Sequence, residues 1–458
     1  MRIIIVGAGE VGYNVARDLS GDGHDIIVVE EDEARVSRLE NDLDIIAVKG
    51  NGARPSVLER AGLSKKGRTD ISLLIACTNK DEVNIMACWI AKKMGVPHVI
   101  ARAVGLEFTD NLHWAKDLGI DILISPERSV VRELEELLEV RGAIHAAEIA
   151  GGKAGIYAFR TASDSSICGL PLSEIRKQNP ALITNVVCIQ RGEKSFVPKA
   201  ADIVESGDIC YSMCYRDQAG YLEAVFQPAL KQKLSRVFII GGGKIGHLIA
   251  SRLLSRFRGI DVRLFEADRE KSERIAAELP KALVICGDGS DADLLSTEGI
   301  SEADGFIAAT EQDEKNLMLS VLGKTMGASK SIAIVKRSNY MGMLNYIPVD
   351  SIVDRNKSLA NAIIKNVRYQ DSSAILTIFD EIDAEAIEIT LSENSPAVGK
   401  RFAEIKMPAG SVVGLIQRET DILIPTGTTQ LVAGDKVTVF ASTGIMPTAL
   451  RSLGETVK

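Results

Sequence analysis

The sequence is poor in histidine, in aromatic residues and in clustered positive charge. Five histidines are spread over 458 residues, and the seven cysteines form no Cys-x-x-Cys pair, which disfavours a structural zinc site. The 54 basic residues are outnumbered by 62 acidic residues and form no long basic block, so nucleic acid is not expected as a partner. The chain also lacks a run of eighteen apolar residues, and we therefore expect no membrane-spanning helix.

The sequence is long, and most of its hydrophobic residues are aliphatic. Hydrophobic residues make up 46% of the sequence, but aromatic residues only 5%, a balance that favours buried parallel sheets. A chain of this length is expected to form several domains. The scattered cysteines, and a start at Met1 and Arg2 that runs directly into an apolar strand, favour a reducing cytoplasm over secretion.

The most informative pattern is an internal repeat. Residues 3–12 read IIIVGAGEVG and residues 237–246 read VFIIGGGKIG, so that three glycines recur with the same spacing. A later segment recurs as well, because Gly169–Ile175 resembles Gly399–Ile405. The chain therefore has the order A–B–A′–B′, in which both parts of the first half are duplicated.

The hydrophobic pattern differs between the A and B units. In unit A, strands predicted near 3–6, 25–29, 45–48, 71–76 and 98–101 alternate with helical stretches, which predicts a parallel, doubly wound sheet. The B units contain short alternating strands and are predicted to be small α+β lobes. Helices around 129–141 and 356–367 are expected to link A to B. The predicted domains are residues 1–125, 140–224, 233–355 and 370–455.

The first glycine turn has the features of a dinucleotide-binding fingerprint. It follows a strand, opens a helix and is followed by the acid Glu30 at the end of the next strand. Such a turn brings a pyrophosphate close to the backbone and the helix N-terminus, and Glu30 would accept hydrogen bonds from a ribose and repel a 2′-phosphate. The alternative is that the glycines serve packing only. The candidate residues here are Gly7, Ala8, Gly9, Glu10, Val11, Gly12 and Glu30.

Further polar residues follow the later strands of the same unit. Asn51 follows the third strand and Thr78 and Asn79 follow the fourth, at the edge where open α/β sheets bind ligands. The alternative for the stretch 78–84 is helix capping. The second copy keeps its own glycines and acid, with Lys336 expected in the place of Arg102; the alternative is a degenerate site. Its candidate residues are Gly241, Gly242, Gly243, Lys244, Ile245, Gly246, Glu266, Asp288, Thr310 and Lys336.

No catalytic or metal-binding residues are predicted. His24 lies in a turn far from the expected nicotinamide, and an ordinary structural role is also favoured over catalysis for the other four histidines. No acid–base pair accompanies the glycine turns. The other histidines are His98 at a strand start, His113 and His247 on helical stretches, and His145 near the A–B junction. Nucleotide sites without catalytic groups indicate a sensor and not an enzyme. The rival hypotheses are an NAD-dependent oxidoreductase with an unrecognised substrate and a nucleotide-sensing DNA-binding repressor, which the net charge of −8 opposes.

These motifs together resemble a known domain family. The combination of GAGEVG (7–12), Glu30, GNG (50–52), CTNKDEVN (77–84) and IARA (100–103) resembles the RCK domain, also called KTN, which regulates potassium conductance. The resemblance implies an α/β fold of two tandem Rossmann-like RCK N-lobes, each followed by a small α+β RCK C-lobe. It also implies NAD(H) as the ligand, with ATP or ADP as alternatives at one or both sites, and it adds Arg102 to the first site.

The same resemblance implies a partner and a location. Family members assemble as rings on the cytoplasmic face of a membrane, and the bound nucleotide sets the shape of the ring. The expectation is a homo-oligomer, a tetrameric ring of eight RCK units, that is peripheral on the inner face of the cell membrane. Its partner would be a potassium channel or transporter subunit of the TrkH or TrkG type, which this protein would gate.

Overall fold

The computed structural model describes residues 1–64, 69–104, 113–228, 234–368, 373–379, 382–442 and 444–454. The chain divides into two compact units. The first comprises residues 1–131, 335–339 and 354–366, and the second comprises residues 132–334, 340–353 and 367–458. Residues 233, 370 and 455, which bound two of the predicted domains, lie outside the described residues.

The first sheet has six strands in the order β3-β2-β1-β4-β5-β6, and every neighbouring pair is parallel. Its central strand is buried from Ile3 to Val6, and Ile3, Ile4 and Ile5 expose none of their surface, as expected for a parallel sheet covered on both faces. The sequence predicts five of these strands and misses the sixth. The strands are β1 (Arg2–Val6), β2 (Asp25–Glu30), β3 (Ile46–Lys49), β4 (Leu73–Ala76), β5 (His98–Arg102) and β6 (Ile122–Ile124).

Helices follow these strands along the chain. The helix after β1 buries Val11, Val15 and Leu19, which lie four residues apart on one face. The last helix of this group confirms the predicted link from A to B. The helices are α1 (Glu10–Gly21), α2 (Glu33–Asp42), α3 (Pro55–Arg60), α4 (Asp81–Lys93), α5 (His113–Asp117) and α6 (Pro126–Glu139).

The second sheet is a small antiparallel one in the order β10-β9-β11-β8-β7. Two short helices, α7 (Leu172–Gln178) and α8 (Ala219–Phe226), accompany it. This is the predicted α+β lobe of the first half. Its strands are β7 (Ala143–Ile149), β8 (Ala154–Arg160), β9 (Thr184–Arg191), β10 (Lys194–Phe196) and β11 (Ile209–Tyr215).

The third sheet repeats the order of the first, as β14-β13-β12-β15-β16-β17. The strands are β12 (Arg236–Ile240), β13 (Asp261–Glu266), β14 (Leu283–Cys286), β15 (Gly305–Ala308), β16 (Ser331–Val335) and β17 (Ser351–Asp354). The helices are α9 (Lys244–Arg256), α10 (Arg269–Glu278), α11 (Ala292–Thr297), α12 (Asp313–Thr325) and α13 (Arg355–Arg368). The internal repeat seen in the sequence is therefore a repeat of topology.

The fourth sheet, in the order β18-β19-β22-β20-β21, repeats the second. The two small lobes share one hydrophobic core cluster, and a Cβ added at Gly414 would lie 2.1 Å from the sulfur of Met213. No helix among the described residues is long and apolar enough to cross a membrane. The elements are β18 (Ser373–Phe379), β19 (Ala384–Thr390), β20 (Ser411–Arg418), β21 (Asp421–Leu423), β22 (Lys436–Ser442) and α14 (Met446–Ser452).

Candidate nucleotide-binding sites

The first glycine turn joins β1 to α1, and its three glycines have different roles. Gly7 has a φ of +101°, which an L side chain rarely adopts. A Cβ added at Gly12 would lie 1.9 Å from the carbonyl oxygen of Gly7, so these two glycines fix the turn itself. A Cβ at Gly9 would meet, among the described residues, only the Arg35 guanidinium at 4.0 Å. Gly9 therefore leaves the N-terminus of α1 open to a ligand.

Glu30 ends β2 and organises this turn. Its carboxylate is nearly buried and accepts hydrogen bonds from the backbone N–H groups of Ala8 (2.5 Å), Glu31 (2.8 Å) and Asp32 (3.0 Å). The Arg35 guanidinium lies 3.9 Å away, beyond hydrogen-bond distance. Glu30 thus holds the glycine turn in place, and its contact with a ribose stays a prediction.

A second polar cluster ties the ends of β4 and β5 together. Asn84 is fully buried, and its Oδ1 accepts hydrogen bonds from the backbone N–H (2.9 Å) and the hydroxyl (2.7 Å) of Thr78. Its Nδ2 donates to the carbonyl oxygens of Thr78 and Arg102, each at 3.0 Å. The residues 78–84 therefore do more than cap a helix, because Asn84 fixes the adjacent strand ends at the edge of the sheet.

These elements surround a cavity of about 550 Å³, a volume typical of small-molecule sites. Asn51, whose Oδ1 accepts from the Ala53 N–H at 2.8 Å, lies on one wall. Two of the predicted residues, Ala8 and Gly12, do not line the cavity. The predicted residues that do are Gly7, Gly9, Glu10, Val11, Glu30, Asn51, Thr78, Asn79 and Arg102. Five polar residues of its wall are not among the predicted site residues, namely Glu31, Asp32, Arg35, Lys80 and Asn356.

Arg102 supplies a donor on the cavity wall that suits an anionic ligand. Burial lowers the pKa of the Arg102 guanidinium from its ordinary value, and its Nε is buried without a hydrogen-bond partner among the described residues. A buried donor of this kind gains most from an anion. Burial also raises the pKa of the Cys77 thiol to about 12, so this thiol stays protonated and is a poor nucleophile.

Asn356 reaches the cavity from the second half of the chain. It is the second residue of α13, and its Nδ2 donates to a carboxylate oxygen of Glu10 and, at 2.7 Å, to the backbone carbonyl of Lys336. Asp354 caps the helix, since its Oδ1 accepts from the N–H groups of Asn356 (2.8 Å) and Lys357 (3.1 Å). The cap fixes the position from which the Asn356 side chain extends.

The second glycine turn joins β12 to α9 and repeats the geometry of the first. Gly241 has a φ of +106°, and a Cβ at Gly246 would lie 1.9 Å from the Gly241 carbonyl oxygen. Gly243 caps the helix that Lys244 and Ile245 begin. A Cβ at Gly243 would come within 4 Å only of the Glu311 carboxylate, at 3.9 Å, among the described residues.

The acid of the second turn has an ion-pair partner of its own. Glu266 accepts hydrogen bonds from the N–H groups of Gly242 (3.0 Å) and Asp268 (3.1 Å), and the Lys271 ammonium lies 2.7 Å from its Oε2. Partial burial opposes ionisation, but the hydrogen bond from Lys271 and the two backbone donors lower the pKa of the Glu266 carboxyl below its ordinary value.

The place of Asn51 is taken in the second half by a carboxylate. The Oδ1 of Asp288 accepts from the backbone N–H and the hydroxyl of Ser290, both at 2.9 Å, and lies 3.3 Å from the Lys315 ammonium. The hydrogen bonds from Ser290, helped by Lys315, lower the pKa of this carboxyl. Asp288 is therefore held as an anion near the second turn.

The Asn84 cluster also recurs in the second half, and it corrects one expectation. Asn316 accepts from Thr310 N–H (2.8 Å) and hydroxyl (2.6 Å), and its Nδ2 donates to the carbonyl oxygen of Ile334 at 2.7 Å. Asn84 makes the matching bond to Arg102, and the strand pairings of the two sheets give the same correspondence. The expected match of Lys336 with Arg102 is therefore wrong, because it aligned two basic residues two positions out of register.

Family models match both halves of the chain. The TrkA-N domain matches residues 3–126 and 237–355, and the TrkA-C domain matches residues 386–454. The chain belongs to the TrkA family. A relative from Methanosarcina mazei, the Trk system potassium uptake protein TrkA homolog 2, is 32% identical over 466 residues that cover 100% of both chains.

Solved structures share the fold of this TrkA-family chain. The crystal structure of the GsuK RCK domain superposes with a TM-score of 0.57 at 17% identity, and covers 99% of this chain and 95% of that one. The GsuK channel bound to NAD gives a TM-score of 0.58 at 18% identity, with 99% and 79% covered. The predicted α/β fold with tandem RCK lobes is confirmed.

Sequence reasoning missed several residues around these TrkA-family turns. The sequence shows that Asn84 and Asn316 recur at matching positions of the repeat, but their role in holding the strand ends was not predicted. Arg35 and Lys271 also match in position, but only coordinates separate a distance of 3.9 Å from one of 2.7 Å. No signal in the sequence connects Asn356 with the first glycine turn.

Proposed function

We propose that this chain is the nucleotide-sensing regulatory subunit of a membrane potassium-uptake system. The observation that carries the proposal is the first cavity, where an open helix N-terminus at Gly9 faces a wall that contains the buried Nε of Arg102, which no described residue satisfies. These groups fit a diphosphate. NAD(H) is the proposed ligand, with ATP or ADP as competitors, and the GsuK channel of the same fold is described as bound to NAD.

The proposed role is regulatory and not catalytic. The predicted site residues supply binding groups, and the protonated Cys77 thiol is unsuited to nucleophilic attack. A nucleotide would act by population shift, because a ligand moves a conformational equilibrium only through its different affinities for the two states. An oxidoreductase would instead consume NADH during turnover, which absorbance at 340 nm would detect.

The proposed partner is a potassium-conducting membrane subunit of the TrkH or TrkG type. Support comes from the relatives, which are named as potassium uptake proteins of the Trk system. We further propose that the chain lies on the cytoplasmic face of the membrane as a tetrameric ring of eight RCK units. Light scattering on the purified chain tests the assembly, and a monomer at micromolar concentration would contradict it.

Nucleotide binding is tested by calorimetry and thermal shift. NADH should stabilise the protein in proportion to RT ln(1 + [L]/Kd), and NADPH should bind more weakly because its 2′-phosphate would approach the Glu30 carboxylate. Equal affinity for NADH and NADPH would contradict the role of Glu30. No shift with NADH, ATP or ADP would contradict the proposed function as a whole.

Gating is tested by potassium flux into vesicles that carry the membrane subunit. Flux should change when the protein is added and should respond to nucleotide. Gly9→Glu should abolish the response of the first site, because the new carboxylate occupies the open helix N-terminus. Gly21→Glu is the matched control, since Gly21 ends the same helix and a Cβ there meets no described atom within 4 Å. A nucleotide response that survives Gly9→Glu unchanged would contradict the model.

A further inference from the structure

We infer that the Asn356 side chain binds the part of the nucleotide that lies beyond its first phosphate. This inference rests on the proposed nucleotide binding at the first site. Asn356 belongs to the same compact unit as the cavity and lines it. It comes from α13 in the second half of the chain, whereas the glycine turn comes from the first half. The first site is thus completed by a residue that the repeat does not supply in the first half.

The position of Asn356 is fixed on two sides. The carboxylate of Asp354 caps α13 and also accepts a 2.5 Å hydrogen bond from the hydroxyl of Ser338. The neighbouring Arg355 forms an ion pair with Glu127, which is 1% exposed and accepts from the Ser125 hydroxyl at 3.0 Å. A helix start held in this way presents the Asn356 amide to the cavity with little loss of side-chain entropy on binding.

The present partners of the amide indicate which ligand chemistry it serves. Asn356 donates one N–H to the backbone carbonyl of Lys336 and one to the exposed carboxylate of Glu10. Glu10 is the first residue of α1, at the helix N-terminus where a phosphate is expected. A phosphate oxygen is an acceptor of the same charge type as the Glu10 carboxylate, so it can replace Glu10 as the partner of the amide.

The wall of the same cavity supplies a second donor. Arg102 lines the same cavity and has a buried Nε that no described residue satisfies. Glu30 marks the ribose end of a nucleotide in this kind of fold, and the glycine turn marks the first phosphate. Glu30 ends β2 on one side of β1 and Arg102 ends β5 on the other side, so the next phosphates of a nucleoside diphosphate or triphosphate would extend from the turn toward Arg102 and toward Asn356, which contacts the start of α1. Exchange of Glu10 for phosphate would link the length of the phosphate chain to the start of α13.

The test is calorimetric titration of the full-length protein with AMP, ADP and ATP. Asn356→Asp replaces a donor with an anion, and should weaken ATP binding by about tenfold or more, the size expected for loss of a charge-assisted hydrogen bond. ADP should be affected less and AMP least. Asn366→Asp is the control, since this substitution introduces the same charge on the same helix. In the unmodified protein the Asn366 side chain donates to the Ala362 carbonyl at 2.7 Å.

Asn356→Ala serves as a second variant that adds no charge. It should also weaken ATP binding more than ADP binding and ADP binding more than AMP binding, but each loss of affinity should be smaller. A melting temperature measured without ligand shows whether each variant folds. The inference is wrong if Asn356→Asp and Asn366→Asp change the affinities for all three nucleotides equally. It is also wrong if Asn356→Asp weakens the binding of ATP and of AMP to the same extent. In both cases the proposal of nucleotide binding stands. If the unmodified protein binds none of the three nucleotides nor NADH, the proposed function fails.

Discussion

The two Rossmann-like lobes share one backbone plan but surround their glycine turns with different charges. Both have a glycine at positive φ and a helix cap with open space, and both have a buried Thr–Asn cluster. In the first, Glu30 is held by three backbone donors and the guanidinium stays 3.9 Å away. In the second, Lys271 pairs with Glu266 at 2.7 Å.

The strand ends differ as well. Where the first site has the neutral Asn51 and the cation Arg102, the second has the anion Asp288 and the buried, apolar Ile334. At the first residue of the helix after the turn the difference in charge has the opposite sign, because Glu10 of the first half corresponds to Lys244 in the second half. Duplication has thus preserved the backbone of the glycine turn, while the charged groups around the turn have changed. The comparison teaches that the fold and the charge around the turn are separable here.

The largest expected effect tests what the two lobes share. Gly12→Ala and Gly246→Ala should each lower stability by about 3 kcal/mol, because the new Cβ meets a backbone carbonyl oxygen at 1.9 Å and cannot be accommodated by a rotamer change. Scanning calorimetry would record a lower melting temperature for both. Gly21→Ala, in the same helix as Gly12 but in open space, should cause no loss. A harmless Gly12→Ala would mean that the turn is looser than described.

The next prediction concerns a lysine that is buried next to the third sheet and has an exposed histidine as its counterpart in the first sheet. Lys330 immediately precedes β16 and is buried, whereas His98, at the corresponding place in the first sheet, is exposed. The Lys330 Nζ donates to the carbonyl oxygens of Leu137 (3.0 Å) and Ala143 (2.5 Å). Burial lowers the pKa of Lys330 to about 7, although Asp350 and Glu223 oppose the shift and Lys324 and Arg141 assist it.

This shift has a definite sign for stability. Between about pH 7 and pH 10.5 the unfolded chain binds more protons at Lys330 than the folded chain, so the contribution of Lys330 to the free energy of unfolding rises with pH, by at most about 1.4 kcal/mol per pH unit. The buried thiols, whose pKa values are raised to about 12, oppose this above about pH 9, so the slope is measured as the difference between denaturant melts of the unmodified protein and of Lys330→Met. Lys330→Met should remove this contribution, and His98→Lys, at an exposed position, should add none. Equal slopes in the unmodified protein and in Lys330→Met would contradict the lowered pKa of Lys330.

A third experiment compares the two acids. Glu30→Ala should reduce NADH binding at the first site by about 1–3 kcal/mol, the range for loss of a charge-assisted hydrogen bond. Glu266→Ala should cost less, because the Lys271 ammonium already engages that carboxylate. Calorimetry on Gly9→Glu and Gly243→Glu backgrounds would isolate one site at a time. Equal losses at both sites would remove the proposed difference between them.

The smallest effect concerns the lysine itself. Lys271→Met should free Glu266 for a ribose and strengthen NADH binding at the second site by about 0.5 kcal/mol, as expected for a half-exposed ion pair. Arg35→Met should not strengthen the first site, because the Arg35 guanidinium is 3.9 Å from Glu30. Titration of each variant with the other site blocked gives the measurement. Weaker binding in Lys271→Met would instead assign Lys271 to the ligand.

Much of the fold follows from local patterns. The run Ile3–Val6 ending at Gly7 predicts a buried strand and a tight turn, because no other residue type suits a φ of +101° and none but glycine fits at Gly12. The acid Glu30 and the repeat of the whole motif predict two such lobes. These features depend on residues that are close together in the chain, so they can be predicted directly from the sequence.

Only the tertiary structure decided the rest. The match of Arg102 with Ile334 depends on strand register, and a shift of two residues keeps the same face and leaves no mark in a hydrophobic pattern. The burial of Lys330 depends on Leu137 and Ala143, far away in sequence. Asn356 joins the first cavity because α13 packs there. The sequence therefore determined the turns and the duplicated topology, whereas long-range packing, which places residues hundreds of positions apart in contact, determined their surroundings.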